Sequence, residues 1–395
     1  MNFNTEKLKN IAIIRTGKLD SNAAVENGEY PFFTCDPKTL SIDKWAYDTE
    51  AVLLAGNNAS GNYTAKYFHG RFNAYQRTYI IESQDVEKLN VRFLGYAINQ
   101  QLRLLKTMSA GTSTKFLTIK ILHGLNIPFP SIEVQNKISG ILATYDNLIE
   151  NNQKQIKLLE EAAQRLYKEW FVNLRFPGYE DVKVIDGIPE GWSKSVIRDC
   201  LERYIGGGWG KEVELGKNYI PGKVIRGTDI NDIKQGTFDD LPLRYYTEND
   251  KQKRVLRAYD IVFEVSNGNI NNIGRNLLID EFILKQCGNN TICASFCKLL
   301  RPNDHLHAIL LFLEIQRMQK DGTMAKYKKQ GSNGINNFAF EKFLEHELLI
   351  PDNLSNLYHL DKVISQIGIL RSQIGILKQS RDCLLPKLMS GEIEV

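Results

Sequence analysis

Two stretches of the chain carry apolar residues in alternating steps of four and three. The first follows Pro130 and runs through Ile138, Leu142, Tyr145, Ile149, Ile156, Leu159, Ala163, Leu166 and Trp170, with Asn152 occupying one step. The second follows Pro351 and runs through Leu360, Val363, Ile367, Leu370, Ile374, Leu377, Leu384 and Leu388, with Arg381 occupying one step. A mean period of 3.5 is a heptad seam, so the pattern predicts two long helices able to pack on each other. Asn152 reads either as one buried polar residue that fixes the register or as part of a frayed, solvated stretch. Elsewhere the apolar positions form short strand-like runs at 51–55, 77–82, 260–265, 276–279 and 291–300, and helix-like runs at 91–107 and 305–319. Loops rich in Gly and Asn separate them, which predicts α/β or α+β units with a curved sheet and leaves the strand order open.

The same order of features occurs twice. Ala46-Tyr47-Asp48, AVLLAG and NNASGN in the first half are echoed by Ala258-Tyr259-Asp260, IVFEV and SNGNINN in the second. Each half then has a turn at Gly111-Thr112-Ser113 or Gly331-Ser332-Asn333, and an Ile-Pro pair at Ile127-Pro128 or Ile350-Pro351. A duplicated, diverged unit produces such a pattern. The organisation expected is a globular unit over 1–130, a long helix over 131–174, a second globular unit over 175–350 and a second helix over 351–395. If the seams pair, the second helix runs back along the first, and about 40 residues make an antiparallel rod of roughly 60 Å with pseudo-twofold symmetry. Within the second helix SQIGIL stands at 365–370 and again at 372–377, a one-heptad insertion that lengthens the helix without rotating its seam.

Composition narrows the classes. The 395 residues are 43% hydrophobic and 24% charged, values of a folded chain of two or three domains and of neither a disordered nor a collagen-like one. The longest apolar run, Ala308 to Leu313, is far too short to span a membrane, and the start MNFNTEKLKN lacks the apolar core of a signal peptide, so no membrane role is expected and the cytoplasm is. Six scattered cysteines include Cys293 and Cys297 in an apolar stretch, where they read as small hydrophobes; no zinc spacing is present and no metal is expected. A net charge of +4 permits nucleic acid as a partner without demanding it. Ile205 to Glu212 resembles a phosphate loop, yet three residues instead of four separate Gly206 from Gly210 and a glutamate follows Lys211, so ATP binding is not expected. Dinucleotide, hydrolase-elbow and zinc-protease motifs and an Asn- or Asp-Pro-Pro-Tyr/Phe tetrapeptide are missing from the sequence. His305 and His307, at the start of an apolar helix, suit end packing. No catalytic constellation and no cofactor follow from these residues.

The loops hold the remaining chemistry. Arg pairs with guanine and Asn or Gln with adenine at base edges, while Lys, Ser and Thr hold phosphates. The candidate DNA contacts in the first half are Asn57, Asn58, Ser60, Lys66, Gln76, Arg77, Thr112, Ser113, Thr114 and Lys115. In the second half they are Lys211, Arg226, Thr228, Asn269, Asn271, Asn272, Arg275, Ser332 and Asn333. Ordinary solvated loops have a similar composition, so these residues alone leave a DNA role open.

Taken in order, several phrases are more specific. They are Ile14 to Asp20 (IRTGKLD), Tyr30 to Thr34 (YPFFT), Gly111 to Phe116 (GTSTKF), Ile127 to Pro130 (IPFP) and Gln135 to Ile138 (QNKI). Pro189 to Trp192 (PEGW) opens the second half, and Leu384 to Gly391 (LLPKLMSG) closes the chain. Across essentially its whole length the chain resembles the specificity subunit of Type I restriction-modification systems. One departure is Leu357-Tyr358, where the family usually has a Glu-Gln-like pair, which leaves the start of the second helix in doubt. The resemblance implies two target recognition domains, each reading half of a bipartite, asymmetric double-stranded DNA site, with the helices as spacer and docking site. It also implies a protein without catalysis of its own. Its partners would be two methyltransferase (M) subunits, which methylate adenine with S-adenosylmethionine, and two ATP-dependent restriction/translocase (R) subunits. The competing readings are a DNA methyltransferase or nuclease carrying its own recognition domains, and a coiled-coil adaptor without DNA contact.

Overall fold

The computed structural model describes residues 3–111, 114–331 and 334–395. It divides into two compact units, one of Met1–Asn147 with Lys378–Val395 and one of Leu148–Leu377, so the division falls within both long helices.

The first unit runs β1 (Thr5–Lys7), α1 (Leu8–Ile11), β2 (Ala12–Thr16), β3 (Tyr30–Phe33), β4 (Leu40–Ile42), β5 (Tyr47–Ala55), β6 (Asn57–Asn58), β7 (Ala65–Ala74) and β8 (Thr78–Ser83). Then come α2 (Val91–Gln100), α3 (Leu102–Met108), β9 (Lys115–Phe116), α4 (Ile119–His123), β10 (Asn126–Pro128) and the long α5 (Ile132–Tyr167). Six strands form one sheet in the order β2-β8-β5-β7-β3-β4. β5 reads as a nearly continuous apolar run because both its faces are covered. Val52 and Leu54 point to a core shared with Phe93 and Leu94 of α2, and Leu53 to a second core with Phe33, Phe72 and Ile80. The helix expected over 91–107 is two helices, broken at Gln101, whose amide donates to the Asn126 carbonyl at 2.8 Å. Ile138 and Leu142 of α5 enter the first core together with Leu388 and Met389.

The second unit runs β11 (Val184–Ile185), β12 (Ile188–Pro189), β13 (Trp192–Val196), β14 (Leu201–Gly206), β15 (Ile220–Ile225), α6 (Ile230–Lys234), β16 (Leu243–Tyr246) and α7 (Glu248–Arg254). It continues with β17 (Ile261–Glu264), β18 (Ser266–Asn267), β19 (Asn276–Leu278), α8 (Glu281–Cys287), β20 (Ile292–Cys293), β21 (Cys297–Pro302) and α9 (His305–Lys320). β22 (Lys328–Lys329), β23 (Asn336–Phe338), α10 (Phe340–Leu344), β24 (Glu347–Pro351) and α11 (Leu357–Ser390) complete it. The central sheet has the order β14-β21-β17-β19. Ile261 and Phe263 of β17 face the apolar α9, and Val262 faces a separate core with Ile233 and Ile283.

Element by element the two units repeat one frame. The order β2-β8-β5-β7 is matched by β14-β21-β17-β19. The parallel pair β3·β7, with β4 beside β3, is matched by β15·β20, with β16 beside β15. β1 pairs with β10 up to Pro128 as β13 pairs with β24 up to Pro351. The second unit differs in that the equivalent of β7 is split into β19 and β20, with α8 inserted. The strand expected over 291–300 is likewise two strands separated by the turn 294–296, because β20 and β21 belong to different sheets. Both strands are buried, and the break between them is marked only by the small, exposed Ser295. Pro351 closes β24 and α11 begins six residues beyond it, at Leu357, which is fully buried.

The seam is visible separately in each unit. In the second, Ile149 and Ile156 pack with Ile367, Leu370 and Ile374, and buried Asn152 donates from Nδ2 to Gln373 Oε1 at 3.1 Å. Nearer the end of α5, Ala163 joins Leu357 and Leu360, so pairing moves down α11 as it moves up α5, which is antiparallel. In the first unit Arg381, the charged step of the second seam, donates to Asp146 at 2.8 Å. Tyr167 and Phe171, at and just beyond the end of α5, stack at 5.1 Å and lie buried in the core of the second unit.

Candidate nucleic-acid interface

In the first unit three chain segments converge on Gly56. Its amide donates to the Arg77 carbonyl at 2.8 Å, and its carbonyl accepts from Leu117 N–H at 2.8 Å. A Cβ at position 56 would lie 2.3 Å from the Arg77 oxygen, so glycine alone permits this approach. The short ladder of β6 and β9 sets Asn57 opposite Phe116 and Asn58 opposite Lys115. Thus Asn57, Asn58, Arg77, Thr114 and Lys115, spread over nearly sixty residues of sequence, occupy one edge. Arg77 and Thr114 are exposed there. Thr112 and Ser113 lie outside the described residues.

Several of these side chains are committed to the loop itself. Asn58 Oδ1 accepts from Ser60 N–H at 2.9 Å, from the Ser60 hydroxyl at 2.9 Å and from Asn62 N–H at 3.1 Å, an Asx turn that shapes the loop. Gln76 donates to Asp20 at 2.6 Å. Lys66 donates to the Asp36 carbonyl and the Thr39 hydroxyl, and its burial lowers the ammonium pKa. Lys106, which sequence reasoning did not single out, donates to Asn62 at 2.7 Å. A separation of 44 residues hid that contact.

The second unit builds the same edge from different residues. Val265 N–H donates to the Phe296 carbonyl at 2.9 Å, as Gly56 does to Arg77. β18 pairs with β23, with Asn267 opposite Asn336 and Ser266 opposite Asn337. Asn267 Oδ1 accepts from Asn269 N–H at 2.7 Å and from Asn272 Nδ2 at 3.3 Å, and Asn269 Oδ1 accepts from Asn271 N–H at 2.9 Å. Asn269, Asn271 and Asn272 therefore sit together in one loop beside β23. Ser332 and Asn333 lie outside the described residues.

Two arginines are braces here. Arg275 donates through Nε to the buried Glu264 at 2.7 Å, and Arg226 forks onto Asp229 and donates to the Asp240 carbonyl at 2.9 Å. The carboxylate of Asp229 raises the Arg226 pKa. Thr228, in the turn that this fork closes, is exposed, as is Lys211, whose backbone bridges to Tyr245. Sequence reasoning missed Phe296, half exposed on the 294–296 turn, since its flanks look like one strand. Cys293 and Cys297 lie beneath this turn; burial pushes the Cys293 thiol up to about 12 and that of Cys297 well above its usual value, so both stay protonated. Among the described residues no group of three or more His, Cys, Asp or Glu is placed to hold a metal ion, and no helix is long and apolar enough to cross a membrane.

The chain is similar to known proteins. The family model described as the Type I restriction modification DNA specificity domain matches residues 1–161. The Type I restriction enzyme EcoDI specificity subunit of Escherichia coli is 29% identical over 216 residues, covering 49% of this chain and 47% of that protein. The MjaIX specificity subunit of Methanocaldococcus jannaschii is 28% identical over 312 residues, covering 74% of this chain and 66% of that protein. The match thus spans from about half to just under two thirds of these relatives' length. The crystal structure of a Type-I restriction-modification S subunit from M. genitalium shares the fold, with a TM-score of 0.59 at 15% identity over 98% of this chain and 96% of that one.

Proposed function

We propose that this chain, a member of the Type I restriction-modification specificity-subunit family, is the DNA-reading subunit of such a complex. The observation that carries the reading is the repeated frame: two units with one strand order, each presenting a loop edge of Asn, Lys, Arg or aromatic residues on equivalent backbone contacts. A bipartite, asymmetric site in double-stranded DNA calls for two readers alike in frame and unlike in side chains. Residues 1–130 and 175–350 are the two target recognition domains, and the antiparallel helices over 131–174 and 351–395 are the spacer between them. The candidates to reach DNA are Asn57, Arg77, Thr114 and Lys115 on the first edge, Asn271 and Phe296 on the second, and the exposed Lys211 and Thr228 elsewhere in the second unit.

The chain itself has no catalytic role in this reading. Two methyltransferase subunits dock on the helices and carry out the methylation, and restriction subunits join the full complex. The docking face is apolar and exposed on the second unit's share of the helices: Ile369 and Ile376, one heptad apart on α11, are 52% and 58% exposed, and Leu158 of α5 is 64% exposed. Helices from the partners would complete a four-helix bundle there.

A gel shift of this chain alone and with its methyltransferase partner tests the reading. Weak, salt-sensitive binding alone that becomes sequence-specific with the partner is expected. Methyl transfer to DNA by this chain without a partner would sink the proposal in favour of a self-contained methyltransferase, and absence of any DNA binding by the complex would favour an adaptor.

A further inference from the structure

Arg77 and Phe296 hold the same place in the repeated frame. The carbonyl of each accepts the amide of the residue that opens the Asn-rich loop, Gly56 at 2.8 Å in the first unit and Val265 at 2.9 Å in the second. The residue after each is likewise equivalent: Thr78 accepts from Gly17 N–H at 3.1 Å and Cys297 from Gly207 N–H at 2.9 Å. At both glycines an added Cβ would lie 2.1 Å from a carbonyl oxygen at the start of the turn, Ala74 or Ala294. The backbone at Phe296 is therefore fixed by the frame, independently of its side chain.

That side chain is 52% exposed, next to exposed Ser295 at the tip of a turn whose ends, Ala294 and Cys297, are 6% and 0% exposed. Its backbone borders the Asn267 loop: the Phe296 carbonyl also accepts from Ser266 N–H at 3.3 Å, and the Ser266 hydroxyl donates to Asn337 Oδ1 at 2.9 Å. An exposed aromatic ring on an edge proposed to face DNA has one distinctive partner in the major groove. Thymine alone presents a methyl group there, and apolar side chains recognise it by contact.

We infer that Phe296 is a base-contacting residue of the second recognition unit and selects a thymine through its 5-methyl group, where the equivalent Arg77 of the first unit has a hydrogen-bonding head. The inference rests on the DNA-reading proposal and deepens it. It makes the two half-sites chemically unlike at equivalent positions, one depending on a methyl contact and the other on hydrogen bonds.

The test uses the full chain with its methyltransferase partner on the site mapped by methylation. Each thymine is replaced in turn by deoxyuridine, which removes only the methyl. One position in one half-site should lose about fivefold in affinity, the worth of one buried methyl. Phe296→Ala should bind thymine and uracil at that position equally while the other half-site stays unchanged, and Phe296→Leu should keep part of the discrimination. If no thymine is sensitive in the wild-type complex, or if Phe296→Ala keeps the same sensitivity, the inference is overturned while DNA reading stands. A wild-type complex without any sequence preference would bring down the DNA-reading proposal and this inference with it.

Discussion

At the residue scale the most consequential group outside the loops is Glu314 of α9. It is buried beneath Tyr167, accepts from the tyrosine hydroxyl at 3.0 Å, holds Arg317 through two bonds at 2.8 and 2.6 Å, and meets His346 at 3.2 Å. Burial pushes its carboxyl up, but the Arg317 fork with the His346 and Tyr167 hydrogen bonds holds it at about 2. A carboxyl depressed in the fold stabilises it above the ordinary pKa, and that contribution fades as pH falls through the folded value. The stability of the second unit should therefore drop between about pH 4.5 and pH 2, by roughly 3 kcal/mol from this group at about 1.4 kcal/mol per unit. Glu314→Gln should remove that pH dependence and cost about 3 kcal/mol at neutral pH, because half-buried Arg317 and His346 lose their buried carboxylate and Arg317 keeps only the more exposed Asp321. Thermal unfolding across pH reads both, and an unchanged acid profile in the variant would refute the assignment. Arg226 and Arg275 follow the same logic in the loops, where a carboxylate partner makes each of them part of the frame.

At the element scale the seams were legible because their heptad period is a property of local sequence, and the long helices and the strands expected over 51–55, 260–265 and 276–279 are present, the first beginning earlier, at Tyr47, where polar Asp48, Thr49 and Glu50 hid it. What was not legible lay in long-range pairing. The split of 291–300 depends on β20 joining β15, and the burial of Tyr167 and Phe171 depends on α9; neither leaves a periodic trace. The Asn152–Gln373 contact resolves Asn152 as a paired seam residue. A double-mutant cycle with Asn152→Ala and Gln373→Ala should give a coupling of about 1 kcal/mol by chemical denaturation, and a coupling indistinguishable from zero would mean a solvated pair. On the exposed side of α11, Ile369→Glu with Ile376→Glu should abolish copurification with the proposed methyltransferase partner while the melting temperature holds. Tyr167→Glu with Phe171→Glu should instead unfold the second unit, since both rings are core.

At the scale of the whole molecule, modularity and spacing are separable questions. On the proposed reading, exchanging residues 1–130 for the corresponding unit of a Type I specificity subunit should change one half-site in methylation mapping and leave the other; a change in both would refute modular reading. The SQIGIL repeat bears on spacing, but its two copies do different work. Arg371 between them donates to Asp280 at 2.5 Å, Ile374 is fully buried, and a Cβ at Gly375 would lie 3.0 Å from the Phe282 ring. Deleting Ser365 to Arg371 keeps the seam in phase and puts Lys378 where Arg371 was. It also puts Arg381 in the place of Ile374 and Asp382 in the notch of Gly375. Burying a charge in that position should cost several kcal/mol, so the variant should melt well below the wild type before any change in half-site gap is read. A shared frame with unlike loop tips has a further consequence. Because turns such as 294–296 are held through main-chain amides and carbonyls, an exposed tip residue tolerates replacement without loss of the scaffold. Where the two edges read DNA as proposed, one word of the recognition vocabulary can thus be revised while the other keeps its meaning.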